Sequence, residues 1–304
     1  MKSIKPSFMQ IFNEVVATKR ENMIHFSKMK PVEFVQISKW LLAEFGGVLN
    51  NKSVDVSLKV DGAGLRFGKD VKGTYFMETS RSGPIFNSGA FSKFQKDQGV
   101  SDPVRLNRAV QYDDVFDILK TSKLVKVLPN GCKVICELMY NNMGEDLGDS
   151  VKFVTVAYNK SKIGKQMTIV PFTVVDMDGN EHTDSKSIIE SLYKSSNSDI
   201  LVVNPSLRLQ EEIDVSMSIT KFLKEIEKFD LSIMSSRKRT DTDAKNAIRR
   251  IVQDAINEIE ALIAKSNIQG IDVMGDEIEG LVIKIGSKLF KIQSDNYKQS
   301  RKSD

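Results

Sequence analysis

Apolar and polar residues alternate most regularly from Val54 to Val60, where Val54, Val56, Leu58 and Val60 are interleaved with Asp55, Ser57 and Lys59. That period of two predicts a half-buried strand with Lys59 on the face opposite the apolar side chains. Asp61-Gly62 comes directly after it as a turn signal. Leu65-Arg66-Phe67 and Thr74 to Thr79 repeat the strand pattern around Gly68-Lys69-Asp70 and Lys72-Gly73, which predicts a hairpin. Further strands are predicted at Lys133 to Leu138, Phe153 to Tyr158 and Thr168 to Asp176. The last two are Glu279 to Ile285 and Lys288 to Gln293, parted by Gly286-Ser287.

Elsewhere the period is helical. Ser7 can cap a helix with Phe8, Ile11, Phe12, Val15 and Val16 on one face. Pro31 suits the first turn of a second helix, which stops at Gly46-Gly47. Asp113 to Leu119, Ser187 to Tyr193 and Ser218 to Phe229 predict shorter helices. The strongest stripe runs from about Thr242 to Lys265, through Ile248, Ile251, Val252, Ala255, Ile256, Ile259, Leu262 and Ile263. Ser80 to Pro84 reads as a polar turn and Asn87 to Val100 as a loop. The expected architecture is α+β: an N-terminal helical cap over residues 1–50, a main domain over 51–293 with a helical insert at about 186–270, and a polar tail at 294–304.

Composition narrows the function classes. With 304 residues, 40% of them hydrophobic, the chain can build one large core or two smaller ones. No run is long and apolar enough to span a membrane. Met1 to Lys5 is basic, but Asn13 and Glu14 interrupt the stretch after it and make a poor signal peptide, so a cytoplasmic location is expected. Cys132 and Cys136 share one face of a predicted strand, which suits a core better than a disulfide. With only His25 and His182 besides, a zinc site is not expected. The net charge of +4 permits a polyanionic partner without demanding one.

Five spaced elements carry candidate chemistry. They are Lys59-Val60-Asp61-Gly62, Ser80-Arg81-Ser82-Gly83, Glu137 within a strand, Asp176 at a strand end, and Glu279-Gly280-Leu281-Val282-Ile283-Lys284 followed by Lys291. Taken singly, each has a plain structural reading. Lys59 would be a surface lysine before a turn, Glu137 a salt-bridged strand acid, and Lys291 an edge-strand charge. The basic runs at Ser235 to Arg239, Arg249-Arg250 and Lys160 to Lys165 would be solvated faces or contacts to a nucleic-acid backbone.

In this order the five elements resemble the covalent nucleotidyltransferase superfamily of ATP-dependent DNA ligases, RNA ligases and mRNA capping enzymes, over roughly residues 54–293. The resemblance implies an antiparallel-sheet, ligase-type nucleotidyltransferase domain. It makes Lys59 the nucleophile toward the α-phosphate of ATP, with Lys284 and Lys291 contacting that phosphate. A lysine attacks only as the free amine, and these two cations would disfavour a protonated Lys59. The resemblance further implies Mg²⁺, with Glu279 linked to the metal and Glu137 to the metal shell or the ribose. Arg81 would read ribose or substrate phosphate. Asp61 and Gly62 would lie beside the adenine, and Phe172 is the candidate to stack on it, although a strand phenylalanine is ordinarily core.

Three features differ from the family pattern. Gly64 stands where many DNA ligases carry an arginine, the nearest being Arg66. The last motif reads Lys291-Ile292-Gln293, without a second lysine. Eleven residues come after Gln293, too few for an OB-fold domain, so an adenylation domain without that fold is expected. The activity implied is an ATP-dependent polynucleotide ligase working through lysyl-AMP on nicked duplex as a monomer, with DNA placed slightly ahead of RNA. The alternatives are an RNA ligase, a GTP-using capping enzyme, a nucleotidyltransferase that ligates nothing, and a catalytically silent nucleic-acid-binding relative.

Overall fold

The computed structural model describes residues 24–25, 29–79, 82–153, 156–236, 238–266, 268–269, 279–285 and 288–293. In chain order the first elements are β1 (Ile24–His25), α1 (Pro31–Phe45), β2 (Val48–Leu49), β3 (Val54–Lys59), β4 (Ala63–Lys69) and β5 (Tyr75–Thr79). Next are the helices α2 (Ala90–Asp97), α3 (Pro103–Thr121) and α4 (Lys123–Lys126). Then come β6 (Cys132–Tyr140), β7 (Glu145–Asp146), β8 (Ser150–Phe153), β9 (Val156–Asn159), β10 (Met167–Asp176) and α5 (Ser185–Lys194). The remainder is β11 (Ile200–Val202), β12 (Ser206–Leu209), β13 (Ile213–Asp214), α6 (Ser216–Ile226), α7 (Thr242–Lys265), β14 (Ile268–Gln269), β15 (Gly280–Ile285) and β16 (Lys288–Gln293). The fold is α+β, with antiparallel pairing dominant. Among the described residues no helix is long and apolar enough to cross a membrane.

Two sheets organise the molecule. One has six strands in the order β1-β16-β15-β3-β12-β14, and the other five in the order β11-β10-β6-β4-β5. Strands β7, β8 and β9 form a separate three-stranded sheet. The alternation in β3 works as its sequence dictates: Val54, Val56 and Leu58 are buried, while Asp55, Ser57 and Lys59 take the other face. The apolar face of the six-stranded sheet joins a core with Phe34 of α1, Phe222 of α6 and Ile256 of α7. Phe34 and Phe222 lie 4.7 Å apart between ring centroids, within the range of favourable aromatic pairs. The five-stranded sheet buries Leu65, Phe67, Cys132, Val134 and Cys136 against Val115, Phe116 and Leu119 of α3. Both cysteines are free and buried in that core.

Several expectations need correction. Asn87 to Val100 is not a loop, because Ala90–Asp97 is helical. Its start is capped from another helix: the Asp113 carboxylate accepts the N–H groups of Phe91 at 2.9 Å and Ser92 at 3.0 Å. Local sequence carries no sign of a cap supplied 22 residues away. The helix placed at Asp113 to Leu119 spans Pro103–Thr121. Asp102 caps it by accepting the Val104 N–H at 2.9 Å, with Pro103 in the first turn. Exposed Val104 and Val110 obscure the helical period there. Phe153 to Tyr158 is not one strand. It belongs to the hairpin of β8 and β9, with Val151 opposite Tyr158 and Phe153 opposite Val156. Residues 154–155 are β-branched in sequence and carry no turn signal; they lie outside the described residues. The stretch 186–270 is not all helical: it holds β11, β12, β13 and β14, and β12 sits inside the six-stranded sheet beside β3. The helix expected from Ser7 and the tail at 294–304 lie outside the described residues.

Candidate active site

Lys59 is the last residue of β3 and pairs across the ladder with Gly280. Glu279 immediately precedes that glycine, and two ladder pairs along, on the same face, Ser57 pairs with Val282, which pairs in turn with Lys291. The register therefore brings Lys59, Glu279 and Lys291 together on the polar face of the sheet. The Lys59 ammonium lies 3.0 Å from Oε2 of Glu279, and Lys291 takes Oε1 of the same carboxylate. Glu279 thus bridges two lysines while only 3% exposed. Lys59 also donates to the Val60 carbonyl at 2.7 Å.

Glu137 of β6, on the five-stranded sheet, also acts on Lys59, its charge favouring the protonated amine. The intervening turn fits because residue 62 is glycine. A Cβ there would stand 2.6 Å from the Leu138 carbonyl oxygen and 3.0 Å from Cγ of Glu137. A Cβ on Gly64 would meet nothing within 4 Å. Gly64 pairs with Glu137 across the ladder.

The charge balance differs from the one expected. Burial pushes the Lys59 pKa down, but Glu137, Glu279 and Asp61 outweigh it and hold the amine above the ordinary lysine value. The expectation that Lys284 and Lys291 would depress it is therefore corrected: the carboxylates nearest Lys59 dominate. Lys291 itself is lowered by burial, which Glu279 only partly offsets. Lys284 is also lowered by burial, against Asp55 and Glu181. Its ladder partner Asp55 lies 3.9 Å from it, four ladder pairs from Lys59 rather than beside it.

The other expected residues have more varied places. Asp61 gives its backbone N–H to the hydroxyl of Tyr158 at 2.9 Å. Phe172 is the extra residue of a bulge in β10, between Pro171 and Thr173, and packs half-buried against the first core. Bulges re-aim side chains beside active sites, and Pro171 has no N–H to give the ladder. Asp176 shapes a turn: its carboxylate accepts the N–H groups of Asp178 at 2.9 Å and Asn180 at 2.8 Å. Arg81 lies outside the described residues. Lys160 pairs with Asp146 at 2.7 Å on the surface, and Arg249 and Arg250 are exposed along α7.

Among the described residues, no group of three or more His, Cys, Asp or Glu side chains is arranged to hold a metal ion. Mg²⁺ needs only one or two carboxylates where phosphate and water complete its shell. Glu137 and Glu279 bring carboxylate oxygens of that type to the Lys59 amine, with both Glu279 oxygens held by lysines.

Two features escape sequence reasoning. In sequence, Tyr158 is an ordinary strand residue. The second is a polar cluster on the Glu137 face of the five-stranded sheet, where buried Glu78 meets Lys133 at 3.0 Å and Arg66 at 3.6 Å. Hairpin register is its signal, since Arg66 and Glu78 are cross-strand partners. Compared with family models, curated proteins and solved structures, this chain matches none.

Proposed function

We propose that the chain is an ATP-dependent polynucleotide ligase that works through a lysyl-AMP intermediate on Lys59. The observation that carries this reading is the convergence of Lys59, Glu137, Glu279 and Lys291 about one amine. A lysine ringed by carboxylates on one side and a second lysine on the other suits phosphoryl transfer, where positioning and charge placement do most of the work.

In this reading, Lys59 gives its proton to bulk water, and its free amine attacks the α-phosphorus of ATP. A P–N bond forms, the P–O bond to pyrophosphate breaks, and pyrophosphate leaves with the electron pair. Lys291, freed from Glu279, stabilises charge on the α-phosphate oxygens, and Lys284 approaches them from its own row. Glu279 and Glu137 would hold a Mg²⁺ ion, whose chemistry when bound is to neutralise phosphate charge. Phe172 offers a face for the adenine. A 5′-phosphate oxygen then attacks the AMP phosphorus, breaking the P–N bond and returning a proton to Lys59. A 3′-hydroxyl finally displaces AMP and seals the strand.

DNA is placed ahead of RNA on the resemblance of Asp61-Gly62 and the Ser80 to Gly83 element to DNA ligases; the open space at Gly64 favours neither. The test is incubation with α-labelled ATP and Mg²⁺, comparing wild type with Lys59→Ala. Label on the wild type alone supports the reading, and an unlabelled wild type sinks it. Parallel labelling with GTP separates a capping enzyme, and sealing of nicked DNA against nicked RNA assigns the substrate.

A further inference from the structure

The turn after Lys59 is gripped from a strand that the proposed reaction does not use. Tyr158 of β9 is 1% exposed, with the ring of Phe153 6.1 Å away between centroids. Its hydroxyl accepts the Asp61 N–H at 2.9 Å. That N–H belongs to the same peptide group as the Val60 carbonyl, which accepts the Lys59 amine at 2.7 Å. A trans amide points its N–H and its C=O in opposite directions across one rigid plane, and no peptide in the described chain is cis. Tyr158 and the Lys59 amine therefore hold opposite ends of one plane. Hydrogen bonds in such a chain polarise one another, and more so away from water. Burial, with the charges of Asp61, Glu279 and Glu137, keeps the phenol protonated.

We propose that Tyr158 is a positioning residue that locks the Val60–Asp61 peptide plane and so fixes where the Lys59 amine sits. Its effect on catalysis rests on the ligase reading; its effect on the peptide does not. Tyr158→Phe keeps the ring and removes the acceptor.

The first measurement is amide hydrogen exchange by NMR on the full chain. In the wild type, Asp61 is expected among the protected amides. In Tyr158→Phe its protection falls on the order of tenfold, as loss of one buried hydrogen bond implies. The Leu58 amide, which donates to the Pro205 carbonyl at 2.8 Å, keeps its protection. The second measurement is labelling by α-labelled ATP. The rate at saturating ATP falls on the order of tenfold, with the half-saturating concentration little changed. Phe153→Leu serves as control: it removes the neighbouring ring, lowers the melting temperature, and leaves both Asp61 protection and the labelling rate of folded protein intact.

An unprotected Asp61 amide in the wild type overturns the proposal, even should Tyr158→Phe fail to fold. So does unchanged Asp61 protection in Tyr158→Phe, or an equal loss in Phe153→Leu. A labelling rate that Tyr158→Phe leaves unchanged removes the positioning role. A wild type that never labels sinks the ligase reading instead, and the exchange data still decide whether the plane is clamped.

Discussion

Two clusters of similar make-up lie on the two large sheets. Each is a buried glutamate bridging two cations: Glu279 between Lys59 and Lys291, and Glu78 between Arg66 and Lys133. They differ in what surrounds them. Glu137 and Asp61 add their charges at Lys59, so among these groups the negative ones exceed the positive by one. At Glu78 the two cations exceed the carboxylate by one. The first cluster sits at strand ends beside a tight turn, and the second lies within the hairpin ladder. A buried ion pair alone says little about function.

The largest test of that contrast is chemical. Lys59→Ala should reduce covalent labelling to background, whereas Lys133→Ala should label as the wild type does; equal loss in both would erase the distinction. Stability should separate the clusters in the opposite sense. Glu78→Ala leaves two part-buried cations without their shared anion and should cost about 3 kcal/mol in urea unfolding. Glu279→Ala leaves Glu137 and Asp61 beside Lys59 and should cost only about 1–2 kcal/mol, while labelling collapses. A larger stability loss from Glu279→Ala would mean that its cluster is chiefly structural.

The glycines refine the comparison further. Gly62→Ala drives a methyl into the Leu138 carbonyl and should cost about 1–3 kcal/mol, with slower labelling as Lys59 moves relative to Glu137. Gly64→Ala enters open space and should stay within about 0.5 kcal/mol of wild type. The smallest effect is at Asp176. Slight burial opposes its charge, but amide donors from Asn180, Asp178 and Gly179 outweigh it and lower its pKa. The turn's stabilisation is therefore complete above the ordinary aspartate pKa of about 3.9 and is lost as pH falls through the lowered folded value. Its NMR carboxyl titration should have its midpoint below 3.9, the approximate ordinary value; a midpoint at or above it would contradict the turn geometry.

The site is far more legible in sequence than its surroundings. Alternation from Val54 to Val60 places Lys59 correctly because a strand with one buried face writes its period into neighbouring residues. Glu279 and Lys291 can be put beside it only through motif order, since ladder register between distant strands leaves no local mark. The α2 helix is hidden because its cap comes from Asp113 on another helix. Tyr158 is hidden because the hydroxyl that matters is spent on a backbone N–H 97 positions away. The direction of the Lys59 shift is hidden for a related reason: motif order names the cations around it, while distance decides that the carboxylates prevail.

Strand order carries a last consequence for how this protein is made. β3 pairs with β12 on one side and β15 on the other, so both its edges stay bare on the ribosome until residues 206–209 and then 280–285 have emerged. The five-stranded sheet needs nothing beyond residue 202 and can close first. Contacts of such long sequence separation form late. Lys59 is thus translated early and seated only once residues 280–293 have emerged.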